Sequence, residues 1–560
     1  DRGIRMTVLR GTSSEGGFTA HRRASLLITT AMVAASCAVA HAGTVTVSAP
    51  VPPATSTPVG TVNTAIVTDI STPSSDLTLD IKAGAVVTGG NIVLNPSAGS
   101  GDGAIVVTNA GSVGTVNVTT DAVTDASGII LNGSLANGTK NTATVTNNGL
   151  VTGGLVASGF GGTVKIDNSG TVHNGLVASG AGDVSLNTTT VGAVRSGSVS
   201  ASSFDSKFDP VTGTSTTTSG NVSIVQDGAA VSADGTTKVN VSAFSAAGKA
   251  DISVNAVAGN VTANAGGVVK NQILSTAPAA GKAVDTFVNS TTIGGGAAAI
   301  TIGSAGDIGF VSANGAGGST VTVDGKVNSN ASANSNFTEF NQVFSETRDA
   351  ANAITETSFK FANKQVGNST KLTVGKSGSV TGNANAITVG TGDATIIVDG
   401  TVGGAVTANA TGSSISNTNK TTLFPAAASD FITDATTSNS AIGGAASVTV
   451  NAGGKAGFVS ATGDKSAAVT NAGTVSGVSA NSNQFGGTSN LTNSHKHTEV
   501  TSATGIVITD ITSFSQQFGT TGGTASVINS AGGVINGAIS ASGQGDVTVS
   551  NDGIVLGTTF

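Results

Sequence analysis

The histidines of this chain come closest to the spacing of a metal site. His495, His497 and Glu499 alternate along the stretch HKHTE, so on a β-strand their side chains would share one face. Imidazole nitrogens and carboxylates are ligands that zinc accepts in proteins. The three residues are therefore a candidate metal site, although we favour an exposed polar loop. His173 lies at a predicted corner, far along the chain from the other histidines.

A Gly-Asp turn recurs along the chain and is a second candidate for metal chemistry. Calcium-binding β-rolls use glycine-rich aspartate repeats, but calcium takes about six to eight oxygen ligands. Each turn here offers one carboxylate, and the turns lie dozens of residues apart, so we favour tight-turn chemistry and predict no cofactor. The aspartates of these turns are Asp102, Asp183, Asp307, Asp393, Asp464 and Asp546.

Composition argues against nucleic-acid binding and gives little support to catalysis. Only 10% of residues are charged and the formal net charge is −7, so no basic surface for nucleic acid is expected. Enzymes that cleave polysaccharides on β-helical folds need clustered carboxylates or basic residues in a groove. Carboxylates are scattered here, and no serine-hydrolase, phosphate-loop or zinc-protease motif occurs. We predict no catalytic residue.

Short β-runs separated by glycine corners repeat along the chain. Val and Ile alternate with Thr, Ser and Asn, as in TVTNNGLVTGGLV at 144–156, and GLVASG occurs at 154–159 and again at 175–180. Alternation predicts strands, and Asn and Gly permit tight corners. Seven units, 65–79 residues apart, begin at Gly84, Gly149, Gly228, Gly306, Gly378, Gly453 and Gly532.

One such coil cannot bury its apolar side chains alone, whereas stacked coils can. Parallel pairing of each strand with its counterpart one coil away, about 4.8 Å along the axis, predicts an all-β fold. We expect a right-handed parallel β-helix, a β-solenoid with loop inserts, of about 18–22 coils. Asn side chains would face solvent or stack as ladders at the corners.

Four inserts interrupt the repeat, near 187–219, 331–370, 411–446 and 481–523, and hold most of the Phe residues. We expect them to project from one edge of the rod about every third coil, and residues 337–350 could form a short helix. Binding usually resides in loops on a rigid scaffold. The competing interpretation packs these Phe side chains onto the rod. The candidate partner-binding residues are Phe337, Phe340, Phe344, Phe514 and Phe518.

The first 42 residues are typical of a leader with a secretory signal peptide. Arg22 and Arg23 precede an apolar run at 26–39 that is too short to span a membrane, and small residues at 40 and 42 suit cleavage. A lipid anchor on Cys37 is an alternative. Residues 43–83 read as a Pro-, Thr- and Ser-rich linker with an N-terminal cap, and residues 84–560 as the rod. No transmembrane segment is expected after residue 42.

The glycine-cornered repeats, the leader and the Asn/Thr/Val composition resemble the passenger domains of autotransporter-type bacterial surface proteins. The resemblance covers roughly 84–560 and implies a rod on, or released from, a Gram-negative outer membrane. Such proteins usually end in a translocator barrel, whereas the last 30 residues here are still repeat. Two-partner-secretion haemagglutinins are also similar, although only Asn95-Pro96 matches their Asn-Pro motifs.

Three functional hypotheses follow. The first is a non-enzymatic, secreted or surface-exposed adhesin or self-associating rod, whose ligand is a protein or glycan of a host or bacterial surface. The alternative is a structural matrix or surface-layer component that assembles side by side. The third is a polysaccharide-active β-helix enzyme.

Overall fold

The computed structural model describes residues 43–47, 62–63, 67–70, 77–96, 103–117, 120–133, 140–276, 284–349, 351, 353–424, 430–482, 488–502, 505–518 and 522–557. The predicted leader, including Arg22, Arg23 and Cys37, and also Asp102, lie outside these residues. Within them the chain forms strands and no helix. It follows that none of the described segments is an apolar helix long enough to cross a bilayer.

The predicted parallel β-helix is confirmed: strands from successive coils pair in parallel and in register. The largest sheet, face A, has 16 strands among the described residues, against the 18–22 coils expected. At the usual strand spacing this stack is about 70 Å long. Face A comprises β1 (Gly43–Val47), β4 (Leu77–Ile81), β7 (Ala104–Asn109), β12 (Thr142–Asn147), β15 (Val164–Asn168), β18 (Val184–Thr188), β23 (Val222–Gln226), β26 (Ala250–Val254), β30 (Ala298–Ile302), β33 (Ser319–Val323), β38 (Thr370–Val374), β41 (Ala394–Val398), β46 (Ala445–Val450), β48 (Ser466–Asn471), β52 (Thr524–Asn529) and β55 (Val547–Asn551).

Face B consists of very short strands that follow face A around each glycine corner. A small antiparallel pair, β9 (Thr115–Val116) and β10 (Val123–Asp125), branches off beside it. The strands of face B are β2 (Val62–Asn63), β5 (Val86–Thr88), β8 (Ser112–Val113), β13 (Leu150–Val151), β16 (Thr171–Val172), β19 (Ala193–Val194), β24 (Ala229–Ala230), β31 (Asp307–Ile308), β34 (Lys326–Val327), β39 (Ser379–Val380), β42 (Thr401–Val402), β53 (Val534–Ile535) and β56 (Ile554–Val555).

Face C completes each coil. Two of its strands, β47 and β49, run around the corner from face B and pair with strands of both faces. Face C comprises β3 (Val67–Ile70), β6 (Ile92–Pro96), β11 (Ile129–Asn132), β14 (Leu155–Phe160), β17 (Leu176–Gly180), β20 (Ser198–Ser203), β25 (Asn240–Ser245), β27 (Val261–Ala265), β32 (Val311–Gly315), β35 (Ala331–Asn336), β40 (Ala384–Val389), β43 (Val406–Thr411), β47 (Lys455–Gly463), β49 (Thr474–Ser482) and β54 (Ile539–Ser542).

The core runs the length of the rod as columns of like side chains. Face A contributes a column of large aliphatic residues that includes Ile166, Leu186 and Ile224, each opposite the next in register and buried. Face C contributes a column of alanines, such as Ala157 and Ala178. Small side chains on one wall match larger aliphatic ones on another, so the narrow interior fills without Trp or Tyr.

At the Asn-x-Gly corners predicted from sequence, Asn side chains of successive coils form a hydrogen-bonded ladder. Asn147 is buried, donates its amide to the Oδ1 of Asn168 at 2.8 Å, and accepts from Asn109 at 2.7 Å. Beside it, a Cβ atom on Gly149 would lie 1.9 Å from the carbonyl oxygen of Gly111. Glycine is therefore required at this corner because the backbones of successive coils approach too closely for a side chain.

The inserts are β-hairpins rather than loops, and together they form a second sheet. This ten-stranded antiparallel sheet is called the hairpin sheet below. Each predicted insert contains one hairpin, and a fifth, β28–β29, lies where no insert was predicted. The strands are β21 (Asp205–Asp209), β22 (Thr214–Thr218), β28 (Val268–Thr276), β29 (Val284–Gly294), β36 (Thr338–Arg348), β37 (Ile354–Gln365), β44 (Ser413–Leu423), β45 (Phe431–Ala441), β50 (Thr488–Ser502) and β51 (Gly505–Phe518).

All five hairpins leave the rod at the corner between faces C and A, from every second coil rather than every third. Neighbouring coils and neighbouring antiparallel strands both lie about 4.8 Å apart. Two coils therefore advance by the same distance as the two strands of one hairpin. This match lets successive hairpins pair into one continuous sheet, and it explains a repeat unit of two coils plus one hairpin.

The short helix expected within 337–350 is wrong. Those residues form β36, which pairs with β29 of one hairpin and β37 of its own. The helix was expected because charged residues, among them Glu339, Glu346 and Arg348, cluster in this stretch. Pairing with a strand on each side instead satisfies the backbone hydrogen bonds of β36. Long-range pairing has overridden a weak local preference.

Candidate interaction surface

The two faces of the hairpin sheet differ in chemistry. Residues directly opposite each other in antiparallel strands point to the same side, so the register assigns each side chain to a face. Eight Phe side chains fall on one face, called the phenylalanine face, and none falls on the other among the described residues. They are Phe208, Phe287, Phe340, Phe344, Phe359, Phe361, Phe431 and Phe514.

Three of these rings form a row across neighbouring strands. Phe344 lies opposite Phe287 on β29 and opposite Phe359 on β37. Phe287 and Phe344 are 39% and 38% exposed. Aromatic cross-strand pairs stabilise a sheet, so the row both holds two hairpins together and leaves apolar surface open to solvent.

The opposite face, called the lysine face, carries every lysine of the hairpin strands. The register places these residues away from the Phe side chains, and all six are exposed. Lys420 forms an ion pair with Glu356 at 2.9 Å on this face. The six are Lys207, Lys270, Lys360, Lys364, Lys420 and Lys496.

The phenylalanine face is not used to cover the rod. No described side chain of the hairpin sheet is buried, and its strands contact one another rather than packing broadly against faces A, B or C. None of the described insert Phe side chains is buried, as the interpretation that they pack onto the rod would require. Contiguous apolar surface rimmed by polar residues is typical of an interaction site.

The predicted partner-binding residues are distributed unevenly over this surface. Phe340, Phe344 and Phe514 lie on the phenylalanine face, where Phe514 is 65% exposed. Phe337 lies before β36 at the base of a hairpin, where its carbonyl accepts the amide of Val366 at 2.8 Å. Phe518 pairs with Ser489 in register, and its side chain lies outside the described part.

Several residues of this surface were missed from the sequence alone. Phe208, Phe287, Phe359, Phe361 and Phe431 lie on the same face as the predicted residues. An even spacing of Phe could have indicated part of this face, because Phe recurs at 340 and 344 in β36 and at 359 and 361 in β37. If the inserts had been predicted as strands, the two Phe residues of each strand would have been placed on one side.

The predicted histidine cluster forms around a different carboxylate. His497 Nδ1 lies 2.6 Å and His495 Nε2 lies 3.2 Å from Oδ1 of Asp510 on the next strand. Phe431 stacks on the His497 ring at 5.1 Å and meets the His495 ring edge-on. The hydrogen bond from His497, with a smaller one from His495, lowers the pKa of Asp510 below its ordinary value.

The metal-site prediction for His495, His497 and Glu499 is not matched by a metal-holding group in the described part of the chain. The side chain of Glu499 lies outside that part. One carboxylate oxygen of Asp510 already engages both imidazoles. The arrangement ties the last two strands of the hairpin sheet together.

Two of the Gly-Asp turns, which lie at the corner between faces C and A, anchor the base of the β44–β45 hairpin. Asp464 is buried, and its Oδ2 accepts the amides of Gly412 and Gly443, both at 2.9 Å, on either side of β44–β45. Asp393 Oδ1 accepts the amide of Ala445 at 2.8 Å. These carboxylates bind backbone N–H groups of the neighbouring coil.

The remaining turn aspartates have related structural contacts. Asp183 accepts the amide of Asn221 after β22 at 2.7 Å. Asp307 is instead the first residue of β31 on face B, where it pairs with Lys238 at 3.1 Å. The carbonyl of Asp546 accepts the amide of Ala525 at 3.0 Å. The aspartates of these turns therefore also join neighbouring coils of the rod.

A second charged cluster lies beside face B. His173 is buried, with Nε2 3.6 Å from Asp121, which also lies 3.7 Å from Arg195. Burial lowers the pKa of His173. The cluster fixes the β9–β10 branch to the rod.

Comparisons with protein-family models, with curated proteins and with solved structures found no match for this chain.

Proposed function

We propose that this chain is a non-enzymatic rod, secreted or exposed on a bacterial surface, that binds a partner through the phenylalanine face. The observation that carries the proposal is the one-sided distribution of Phe in the hairpin sheet. Cross-strand pairing explains the row of Phe287, Phe344 and Phe359, but it does not explain why the remaining rings, such as Phe208 and Phe514, are exposed on the same side. Adhesion or self-association would use them.

The geometry of the surface supports binding to an extended ligand. The hairpin sheet widens along the chain, from five residues in β21 to 15 in β50. Aromatic residues, Phe among them, are enriched at the buried centres of protein interfaces, which are surrounded by a polar rim. Phe rings can pack on apolar protein surface or on the hydrophobic faces of sugars, so the ligand class is a protein or glycan surface.

The secretory part of the proposal rests on the leader and on the resemblance to autotransporter passenger domains. The matrix hypothesis, in which rods assemble side by side, remains the alternative to adhesion. We do not propose a polysaccharide-active enzyme, because the carboxylates described above contact backbone amides, lysines, histidines or an arginine.

The test compares two neighbouring residues on opposite faces. Phe344→Ser removes an aromatic anchor from the phenylalanine face, whereas Val343→Ser removes an apolar group from the lysine face of the same strand. Fluorescently labelled protein is titrated onto cultured epithelial cells and onto Gram-negative bacteria. We expect the Phe344 variant to bind about tenfold more weakly and the Val343 variant to bind like the parent. Equal binding by both variants, or none by the parent, would contradict the proposal.

A further inference from the structure

A strap of chain crosses the corner between faces B and C. It is formed by residues 115–117 and 120–126, which include the antiparallel pair β9–β10. The strap leaves the rod after β8 and reaches the side chains that follow β16 and β19, which belong to the second and third coils after its own. The side chains of Ala122, Val123 and Thr124 are exposed, so the strap is a surface layer over this corner.

The base of the strap is hydrogen-bonded to the rod. Gly89 donates its amide to Oδ2 of Asp125 at 3.0 Å, and the hydroxyl group of Thr152 donates to the carbonyl oxygen of Asp125. The amide of Ser127 donates to Oγ1 of Thr152 at 3.1 Å. These bonds attach the strap at the end where the chain enters face C.

The tip of the strap is attached to the rod by charge. Oδ1 of Asp121 lies 3.6 Å from Nε2 of His173, and Oδ2 lies 3.7 Å from Nε of Arg195. Both distances are longer than those of ordinary hydrogen bonds. Both nitrogens are buried and have no hydrogen-bond partner among the described residues. A single carboxylate therefore faces two nitrogen groups and satisfies neither of them fully.

We infer that the strap is a pH-sensitive lid, whose tip leaves the rod when the imidazole of His173 is protonated. His173 is 5% exposed beneath the strap. Its protonation places a second cation beside the Arg195 guanidinium, with the one Asp121 carboxylate to balance both, and burial of an incompletely paired charge is costly. Once the tip leaves the rod, water solvates the imidazolium.

The groups around His173 set the direction of the effect. Burial lowers the pKa of His173, while the Asp121 carboxylate on the strap raises it by a smaller amount and Arg195 on the following coil lowers it further. The equivalent position on the preceding coil holds the uncharged Thr152. Because the pKa is lower with the strap closed, protonation favours the open strap. The contribution of neutral His173 to closure is complete above about pH 6.5 and is lost as the pH falls from there towards the lowered value.

The strap is separate from the surface that carries the proposed function. It lies between faces B and C, whereas the hairpin sheet leaves the rod between faces C and A. Asp121, His173 and Arg195 all lie outside the phenylalanine face. Cell binding and opening of the strap can therefore fail independently of each other.

Hydrogen exchange of the full chain tests the lid. Asn117 donates its amide to the carbonyl oxygen of Ala122, and Asp121 donates its amide to that of Asn117, both at 2.8 Å. An isolated hairpin is marginal at best in water, so these two amides exchange once the tip leaves the rod. Each rate is divided by the intrinsic rate at the same pH. Between pH 7.5 and 5.0 the corrected rates should rise severalfold, with an upper limit of about 30-fold for one histidine.

His173→Gln keeps a polar side chain at the site and removes the titrating group. Its corrected rates at Asn117 and Asp121 should be the same at both pH values, even if the substitution changes their level. His495→Gln removes an imidazole from the hairpin sheet and should behave like the parent, and the amides of β15 should keep their protection throughout. Corrected rates in the parent that do not rise, an equal rise in His173→Gln, or an equal rise in β15 would overturn the inference.

Discussion

Phe287 and Phe344 lie directly opposite each other although they belong to hairpins that leave the rod from different coils. Their contact exists because a hairpin emerges from every second coil, which spaces the hairpins as strands of one sheet require. The spacing of the coils therefore sets the geometry of the phenylalanine face. The face forms only if a hairpin leaves the rod at every second coil.

The asparagine ladder should contribute to the stability of the rod. Replacing Asn147 with Ala leaves the amide of Asn109 and the carbonyl oxygen of Asn168 buried without their partner. We expect a loss of about 1–3 kcal/mol in the local free energy of opening, measured by hydrogen exchange at Gly111 and Gly149. Asn148→Ala, at an exposed neighbouring position, should change exchange little. Equal effects of the two substitutions on exchange would show that the asparagine ladder does not stabilise the rod.

The glycine corner should tolerate no side chain. Gly149→Ala places a Cβ atom 1.9 Å from the carbonyl oxygen of Gly111, so the coils must move apart locally. We expect the urea-unfolding midpoint to fall, whereas Gly294→Ala, which has open space around its Cβ position, should leave it nearly unchanged. A Gly149 variant as stable as the parent would mean that coil spacing is not limited by this corner.

Asp464 should hold the base of one hairpin. Asp464→Ala removes the acceptor of the Gly412 and Gly443 amides. Hydrogen exchange at these two amides and in β44–β45 should become faster, while face A near β15 keeps its protection. The exposed Asp552, changed to Ala, is the control. Unchanged exchange in β44–β45 would show that strand pairing alone fixes the hairpin.

Much of the rod follows from local sequence. Alternating Val and Thr predict strands, and Asn147-Asn148-Gly149 predicts a corner, because both signals act within a few residues. Stacking then follows, since one coil cannot bury its own apolar side.

The hairpin sheet could not be predicted from local sequence patterns. Phe287 lies in a segment where no insert was predicted, and its partner Phe344 lies in a segment that looked partly helical. Their pairing depends on the length of chain in two intervening coils, which no local pattern records. For the same reason the sequence offered Glu499 as the neighbour of His497, whereas the adjoining strand brings Asp510.

The Asp510 carboxyl should titrate below its ordinary range. The hydrogen bond from His497, followed by that from His495, lowers its pKa, so its contribution to the β50–β51 hairpin is present above about pH 4. That contribution is lost as the pH falls through the lowered value. Carboxyl NMR shifts should show the low pKa, and His497→Asn should raise it. A titration of Asp510 unchanged by that substitution would contradict the contact.

The most direct measurement tests whether two coils per hairpin build the surface. Deleting residues 384–405 removes one coil in register and brings two hairpins onto adjacent coils. Deleting residues 384–458 removes two coils and one hairpin, which keeps the spacing. Hydrogen exchange of β37 should be fast in the first deletion, because β44 no longer meets it, and slow in the second, where β50 takes its place. Equal protection of β37 in both deletions would contradict the account.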